Sequence, residues 1–205
     1  MRRLPVYMLL DTSGSMQGEP IEAVNSGLET LISALRQDPH ALETVYMTLI
    51  TFDAEAKIIV PMTPLEEVVL PQFTTPRSGP THLGLALKML GDHVSADVIK
   101  GTDQIKGDWA PYLFVMTDGK PSDTQLYAEQ CEAIRKLGFA SIIGCAAGPK
   151  ATEADLKPLC DHIGPVAVPF WFFESNTRHE GDRIWQRYTA MSSNVMRFAS
   201  RKQAA

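Results

Sequence analysis

Short apolar runs alternate along this chain with longer segments in which apolar residues recur at helical spacing. The clearest runs are Leu4–Leu10, Val45–Phe52, Tyr112–Met116 and Ala140–Ala147. Runs this short, with apolar residues at nearly every position, are typical of parallel strands buried on both faces. Strands that alternate with helices predict an α/β fold in which helix layers enclose a mostly parallel sheet.

The segments between the runs carry helix signals at their ends. Pro20 suits the first turn of a helix, and apolar residues follow it at helical spacing as far as Leu35. Thr81 is expected to open a second long helix. Ser122 and Asp123 can cap a third, because side chains of this type accept hydrogen bonds from free amides at a helix start.

The remaining elements complete the predicted sheet. A turn after Phe52 predicts that Lys57–Pro61 returns as an antiparallel strand at the sheet edge. Toward the C terminus we predict a helix over 152–160, a strand over 166–172 and a helix over 183–198. We therefore expect one domain over residues 1–205, with its core from about 4 to 160 and the last strand and C-terminal helix in 161–205.

Composition and charge exclude several classes of partner. The chain has 205 residues and a net charge of −5, whereas nucleic acid and anionic membranes both require a basic footprint. No apolar run approaches the roughly 18 residues of a membrane span, and the first run ends at Asp11 without a signal-peptide cleavage site. The three cysteines form no CxxC pair. We therefore expect a cytoplasmic protein that binds neither nucleic acid nor membrane.

Three oxygen-rich loops adjoin the predicted elements. They are Asp11-Thr12-Ser13-Gly14-Ser15 after the first run, Ser78-Gly79-Pro80-Thr81 before the second long helix, and Thr117-Asp118-Gly119 after the Tyr112–Met116 run. Sites in open α/β sheets form at the carboxyl ends of strands, so these loops are expected to converge. Gly14 is expected to let the backbone turn tightly between the two serines.

The donors in these loops favour a hard cation. Carboxylates of Asp11 and Asp118 and hydroxyls of Ser13, Ser15 and Thr81 are all oxygen ligands, with no imidazole or thiolate among them. We expect one divalent cation, magnesium before manganese or calcium, although the pattern itself does not decide among the three. Because three donors are neutral hydroxyls, an open coordination position is expected to attract an external Asp or Glu carboxylate.

The DxSxS pattern, a later threonine and a later TDG together resemble the metal-ion-dependent adhesion site of von Willebrand factor A domains. This resemblance implies a three-layer, doubly wound sheet flanked by helices. It also implies that the metal-site positions of the family are Asp11, Ser13, Ser15, Thr81 and Asp118.

A narrower resemblance extends over more of the chain. The stretches RRLPVYMLLDTSGSM, LITFDAEAK, SGPTHLG, LFVMTDGKPSDT and SIIGCAAGPKA resemble the TerY-type proteins of bacterial tellurium-resistance gene clusters. This resemblance implies a stress-response complex in which such proteins are associated with a protein kinase and a PPM-type phosphatase.

The leading interpretation is a metal-dependent protein-binding module that is not an enzyme. A metal-dependent phosphotransfer enzyme is the main alternative, because phosphatases of the haloacid-dehalogenase type also carry an Asp at the end of the first strand. They need a second acid two residues later, where this chain has Ser13. A third interpretation is an adaptor that the associated kinase phosphorylates, with no exposed Ser or Thr singled out by the sequence.

Several neighbouring residues receive ordinary structural interpretations. Ser78 offers an alternative hydroxyl to Thr81, which could instead cap its helix. Asp53 and His82 are expected in a turn and at the surface, and Trp171-Phe172-Phe173 in the core. Cys160 and His162 lack the second ligand pair of a soft-metal site, so direct handling of tellurite is not expected.

Overall fold

A computed structural model describes residues 2–146 and 153–165, and within them the first apolar run is an inner strand of a six-stranded sheet. These residues belong to one unit, Met1–Val166. In chain order the elements are β1 (Leu4–Asp11), α1 (Glu19–Leu35), α2 (Pro39–Thr44), β2 (Val45–Phe52), β3 (Ala56–Pro64), α3 (Leu83–Asp97), β4 (Tyr112–Thr117), α4 (Thr124–Arg135), β5 (Ser141–Ala146), α5 (Glu153–Leu156) and β6 (His162–Pro165).

The strand order of the sheet is β3-β2-β1-β4-β5-β6. Neighbouring strands are parallel except β2 and β3, which form the antiparallel edge. The chain runs outward from β1 through β2 and β3 and then returns to the other side of β1 with β4. The predicted α/β fold with one antiparallel edge strand is confirmed, and its strand order reverses between β1 and β4, where such sheets form their ligand sites.

The core explains why β1 is apolar at almost every position. Its side chains alternate between the two faces of the sheet, and all of them from Pro5 to Asp11 are buried. Tyr7 and Leu9 pack into one cluster with buried residues of α3 and α4. Val6, Met8 and Leu10 point to the opposite face, to which we assign the buried stripe of α1. No helix within residues 2–146 and 153–165 is both long and apolar enough to cross a membrane.

Short elements are where the structure departs from the sequence prediction. Asp38 and Pro39, which the sequence pattern assigns to the end of α1, instead begin α2, and the Asp38 carboxylate accepts hydrogen bonds from the amides of His40 and Ala41. The helix predicted over 152–160 is found only as α5, and β6 is an additional strand. The strand predicted over 166–172, the helix predicted over 183–198 and the Trp171-Phe172-Phe173 cluster lie outside the described residues.

A half-buried ion pair ties the start of the chain to the loop between α3 and β4, residues 98–111. The Arg3 guanidinium donates to both carboxylate oxygens of Asp108, at 3.0 and 2.7 Å. Asp108 also accepts from the Ile99 amide at 2.8 Å. Burial opposes ionisation of this carboxyl, but these hydrogen bonds outweigh burial and hold the pKa of Asp108 below its ordinary value.

Replacing Asp108 should therefore destabilise the fold in a pH-dependent way. We expect Asp108→Ala to lower the free energy of unfolding by about 2 kcal/mol at pH 7, because hydrogen bonds to charged partners are lost. A carboxyl whose pKa is lowered by folding stabilises the protein above its unfolded pKa, so this difference should shrink as the pH falls below about 4. Urea titrations of the variant and the wild-type chain at pH 7 and below about pH 4 measure this difference in unfolding free energy. Asp103→Ala, an exposed aspartate of the same loop, is the matched control and should change little.

Candidate functional site

Three loops meet at the carboxyl ends of β1 and β4 and bring all five predicted ligand residues together. The Ser13 and Ser15 hydroxyls are 3.1 Å apart, and the Thr81 hydroxyl donates to that of Ser13 at 3.1 Å. Ser15 donates to Asp118 at 2.6 Å. Asp11, Ser13, Thr81 and Asp118 are buried, whereas Ser15 is exposed at the rim. The result is a small cluster of oxygen atoms that opens to solvent on the side of Ser15.

Asp11 anchors this cluster from below. One of its carboxylate oxygens accepts the Ser13 amide at 2.8 Å, and the other accepts the Thr117 hydroxyl at 2.5 Å. Burial raises the pKa of the Asp11 carboxyl above its ordinary value; the hydrogen bonds from Ser13 and Thr117 offset part of that effect, and the charge of Asp118 adds to it. Thr117 is a partner that the sequence reasoning missed. Its position could have indicated this contact, because Thr117 is the last residue of β4, the strand that pairs with β1.

The loop after β4 holds Thr81 in place. The Ser122 hydroxyl accepts the Thr81 amide at 3.0 Å, and the Ser122 amide donates to the Thr81 carbonyl at 2.8 Å. The Asp123 carboxylate accepts the amides of Gly84 and Leu85, at 3.1 and 2.9 Å. Asp123 is the N-cap residue of α4, as predicted, but its side chain makes no capping hydrogen bond there and instead caps the first turn of α3, while the Ser122 hydroxyl is engaged with the Thr81 amide.

Gly14 is required for a reason other than the predicted one. Its backbone does not adopt a positive φ, which among the described glycines occurs at Gly18 and Gly138. A Cβ atom at Gly14 would lie 2.5 Å from the Ser78 Cα. The glycine thus lets the two loops approach backbone to backbone, while the Ser78 residue itself is exposed.

The turn between β2 and β3 supports the same edge of the sheet. Asp53 accepts the Glu55 amide through its side chain, as expected for a turn residue, and its carbonyl accepts the His82 amide at 2.9 Å. The His82 ring nitrogen Nδ1 lies 3.1 Å from the Ala54 carbonyl. These contacts fix the residue that follows Thr81 and complete the support of the site.

The cysteines do not contribute to this cluster. Cys131, Cys145 and Cys160 are free and buried. Burial raises the pKa of each thiol, that of Cys160 to about 12. Asp161, beside Cys160, accepts the Ile142 amide at 2.9 Å. Buried thiols of this kind are structural and unreactive.

The spacing of the hydroxyl oxygens fits a small octahedral cation. An ion with metal–oxygen bonds of about 2.1 Å separates adjacent ligands by about 3.0 Å. The two separations that involve the Ser13 hydroxyl are both 3.1 Å. The residues present could therefore hold such an ion with little rearrangement of the hydroxyls.

Comparison with known proteins identifies a family for most of the described sheet. Residues 6–120 match the sequence model of the von Willebrand factor type A domain. An uncharacterized protein of Synechocystis sp., sll0103, is 41% identical over 61 residues, which are 29% of this chain and 13% of that protein. The chain thus spans only a small part of this relative.

Solved structures share the fold at low sequence identity. Proximal thread matrix protein 1 from the mussel byssus, solved with a zinc-occupied MIDAS motif, is 15% identical, with a TM-score of 0.56 over 81% of this chain and 45% of that one. The ArnB paralog VWA2 from Sulfolobus acidocaldarius is 17% identical, with a TM-score of 0.56 over 82% of this chain and 43% of that one. At these identities the likeness extends to the fold alone.

Proposed function

The chain belongs to the von Willebrand factor type A domain family, and we propose that it is a binding module that holds a partner protein through a divalent cation. Domains of this family commonly mediate metal-dependent protein interactions and are typically not enzymes. The observation that carries the proposal is a cluster of three hydroxyls beside two carboxylates, in which the Ser13 hydroxyl lies at octahedral spacing from the other two hydroxyls.

In this proposal each residue has a distinct task. Ser13, Ser15 and Thr81 would supply neutral oxygens, and Asp118 would face the ion from the side of the exposed Ser15. Asp11, with both oxygens already accepting protein hydrogen bonds, would hold the loop in shape and contribute charge. The bound cation would supply an open coordination position for a carboxylate of the partner.

The donor set favours magnesium, with manganese or calcium as alternatives, because hydroxyl and carboxylate oxygens are hard ligands. The zinc in the mussel protein makes zinc a further ion to compare. Phosphotransfer of the haloacid-dehalogenase type is not supported, because Ser13 occupies the position where such an enzyme needs its second acid. The Ser13 hydroxyl is hydrogen-bonded to the hydroxyls of Ser15 and Thr81. It cannot replace the carboxylic acid that would shuttle a proton at this position.

We extend the proposal to the partner on the strength of the TerY-type resemblance. The chain would act in the cytoplasm of a bacterium, within a stress-response complex that includes a protein kinase and a PPM-type phosphatase. The kinase and the phosphatase are therefore the first proteins to test as partners.

The test is capture of each candidate partner on the immobilised 205-residue chain. We expect capture in Mg²⁺ and loss of capture in EDTA or with Asp118→Ala. Asp92→Ala removes an exposed aspartate of α3 and is the charge-matched control, which should still capture. Full capture in excess EDTA would refute the metal-dependent mechanism.

Gly14→Ala should weaken the site without removing a ligand. Its Cβ would lie 2.5 Å from the Ser78 Cα, so the two loops must move apart. We expect about a tenfold loss of Mg²⁺ affinity by isothermal titration calorimetry, the size seen when groups that orient ligands are disturbed. Gly79→Ala lies in the facing loop, where the nearest atom to a Cβ is the Pro76 Cγ at 3.7 Å. Equal affinity for the two variants would contradict this explanation.

A further inference from the structure

The loop between α3 and β4 exposes an unusual share of apolar surface. Five large apolar side chains are strongly exposed within the part of the chain that the structure describes, and three of them are in this loop. Ile99 is 51%, Ile105 63% and Trp109 47% exposed. Single exposed apolar residues need no explanation, but three within eleven residues suggest a binding surface.

The loop is held firmly although these side chains are not buried. Across its base, the Asp108 amide donates to the Ile99 carbonyl at 2.8 Å, and nearer the tip the Thr102 amide donates to the Ile105 carbonyl at 2.9 Å. A Cβ at Gly107 would lie 2.3 Å from the Gly101 nitrogen, so the two arms are in backbone contact. The exposed side chains therefore stand on a fixed backbone, which lowers the entropy cost of binding.

Arg2 and Arg3 fasten the loop to the start of β1. Arg2 donates to the carbonyls of Gly107 and Asp108, at 2.7 and 2.9 Å, and its guanidinium lies 3.9 Å from the centre of the Trp109 ring. Arg3 forms the ion pair with Asp108 described above. Trp109 is thus oriented by a cation on one side and leaves nearly half of its surface free.

The charges around the apolar residues are mainly positive. Lys100 and Lys106 are exposed in the same loop, and Arg2 adds a third cation. Asp103 is the opposing charge of the loop, since Asp108 is paired with Arg3. Asp97, at the end of α3, is a second, partly buried carboxylate and lies beside His93. This basic patch stands out on a chain whose net charge is −5.

We propose that Ile99, Ile105 and Trp109, with Lys100, Lys106 and Arg2, form a second docking surface for an acidic, apolar segment of a partner protein. Charge complementarity selects this occupant. A second copy that docked through the same face would present the same positive charges, and residues 166–205 of this chain are themselves net positive in sequence. An anionic membrane is disfavoured because such binding uses clusters of about four to eight basic residues.

The surface is distinct from the metal-site cluster. It adjoins the start of β1, where the Trp109 amide donates to the Arg3 carbonyl, whereas Asp11 ends that strand. Eight strand residues at about 3.3 Å each separate the two by roughly 25 Å. Two partners could bind at once, one at each end of the sheet.

The test selects peptides from a random display library on the 205-residue chain in EDTA, so that the proposed metal site is empty. We expect the selected peptides to combine acidic and apolar residues. The double variant Lys100→Glu/Lys106→Glu should weaken the tightest peptide by about tenfold or more, as charge reversal at an interface does. Trp109→Ala should weaken it by about thirtyfold, a loss typical of a buried interface tryptophan. Ile105→Ser, a change at the exposed tip, tests the same surface should Trp109→Ala perturb folding.

Lys88→Glu/Lys157→Glu is the matched control, because both lysines are exposed elsewhere in the described chain, and it should leave the affinity unchanged. Peptides without acidic enrichment, or affinities that the loop variants leave unchanged, would overturn the proposal. So would binding of the chain to phosphatidylserine vesicles that is lost with the loop variants, or dimerisation through the loop in sedimentation equilibrium. Because EDTA is present throughout, none of these results bears on the metal-dependent function.

Discussion

The Asp11→Asn variant is expected to unfold at the same free energy with and without Mg²⁺, whereas the wild-type chain gains about 2.7 kcal/mol at a cation concentration one hundred times its Kd. The gain follows because a cation that binds only the folded state shifts the unfolding equilibrium by mass action. Asparagine fills the same volume as aspartate but removes the charge at the base of the cluster. The measurement is a set of urea titrations in Mg²⁺ and in EDTA.

The metal-free stability of this variant makes the test sharper. Asparagine can still accept the Ser13 amide, and Thr117, which lies 3.3 Å from the Gly119 carbonyl, has an alternative acceptor for its own proton. We therefore expect metal-free stability to change by less than about 1 kcal/mol, since the introduced amide can donate to the Thr117 hydroxyl in place of the hydrogen bond that is lost. A variant that still gained stability from Mg²⁺ would show that the cation binds elsewhere.

Gly84→Ala is expected to cost about 3 kcal/mol or more of unfolding free energy, while Gly91→Ala in the same helix should stabilise the chain by about 0.5–1 kcal/mol. A Cβ at Gly84 would lie 2.4 Å from the Tyr127 amide nitrogen and 2.8 Å from the Leu126 carbonyl carbon. These are backbone atoms of α4 and cannot rotate away. At Gly91 the nearest atom is the Ile134 Cδ1 at 3.7 Å, an ordinary contact.

The Gly84→Ala substitution should also disturb the oxygen cluster formed by Asp11, Ser13, Ser15, Thr81 and Asp118. The Asp123 oxygen that accepts the Leu85 amide would lie 2.8 Å from the new Cβ, and the adjacent Ser122 holds the Thr81 backbone. Gly84→Ala should therefore weaken Mg²⁺ affinity as well as stability, measured by calorimetry at a temperature where the variant remains folded. If stability fell while Mg²⁺ affinity stayed at the wild-type value, the link from α4 to Thr81 would be disproved.

The sequence was sufficient for the parts of the molecule that are local along the chain. Asp11, Ser13 and Ser15 follow one strand directly, and Asp118 follows another, so their meeting required only that both strands be parallel and adjacent. Thr81 was identified by its place before a helix. The strand order then brings these loops together, as the alternation of apolar runs and helices predicts.

Contacts between loops could not be predicted from the sequence, because the residues in contact are far apart along the chain. Asp123 has the residue type and position of a cap for α4, yet it binds amides of α3, 39 and 38 residues away. Gly14 has the composition of a turn, but its constraint comes from Ser78 on the facing loop. Residue preferences describe a helix end or a turn; they do not say which neighbour the fold will bring against it.

The burial of Cys131, Cys145 and Cys160 has a practical consequence for observing this chain at work. Because the native thiols are shielded and raised in pKa, a cysteine introduced at an exposed position would be the one that reacts readily with a fluorescent maleimide. Ser15 and Ile105 mark the two ends of the sheet, and roughly 25 Å of strand separates those ends. Because Ser15 and Ile105 themselves belong to the proposed binding surfaces, the cysteine would be introduced at an exposed residue beside one of them, so that the dye reports occupancy of that end alone.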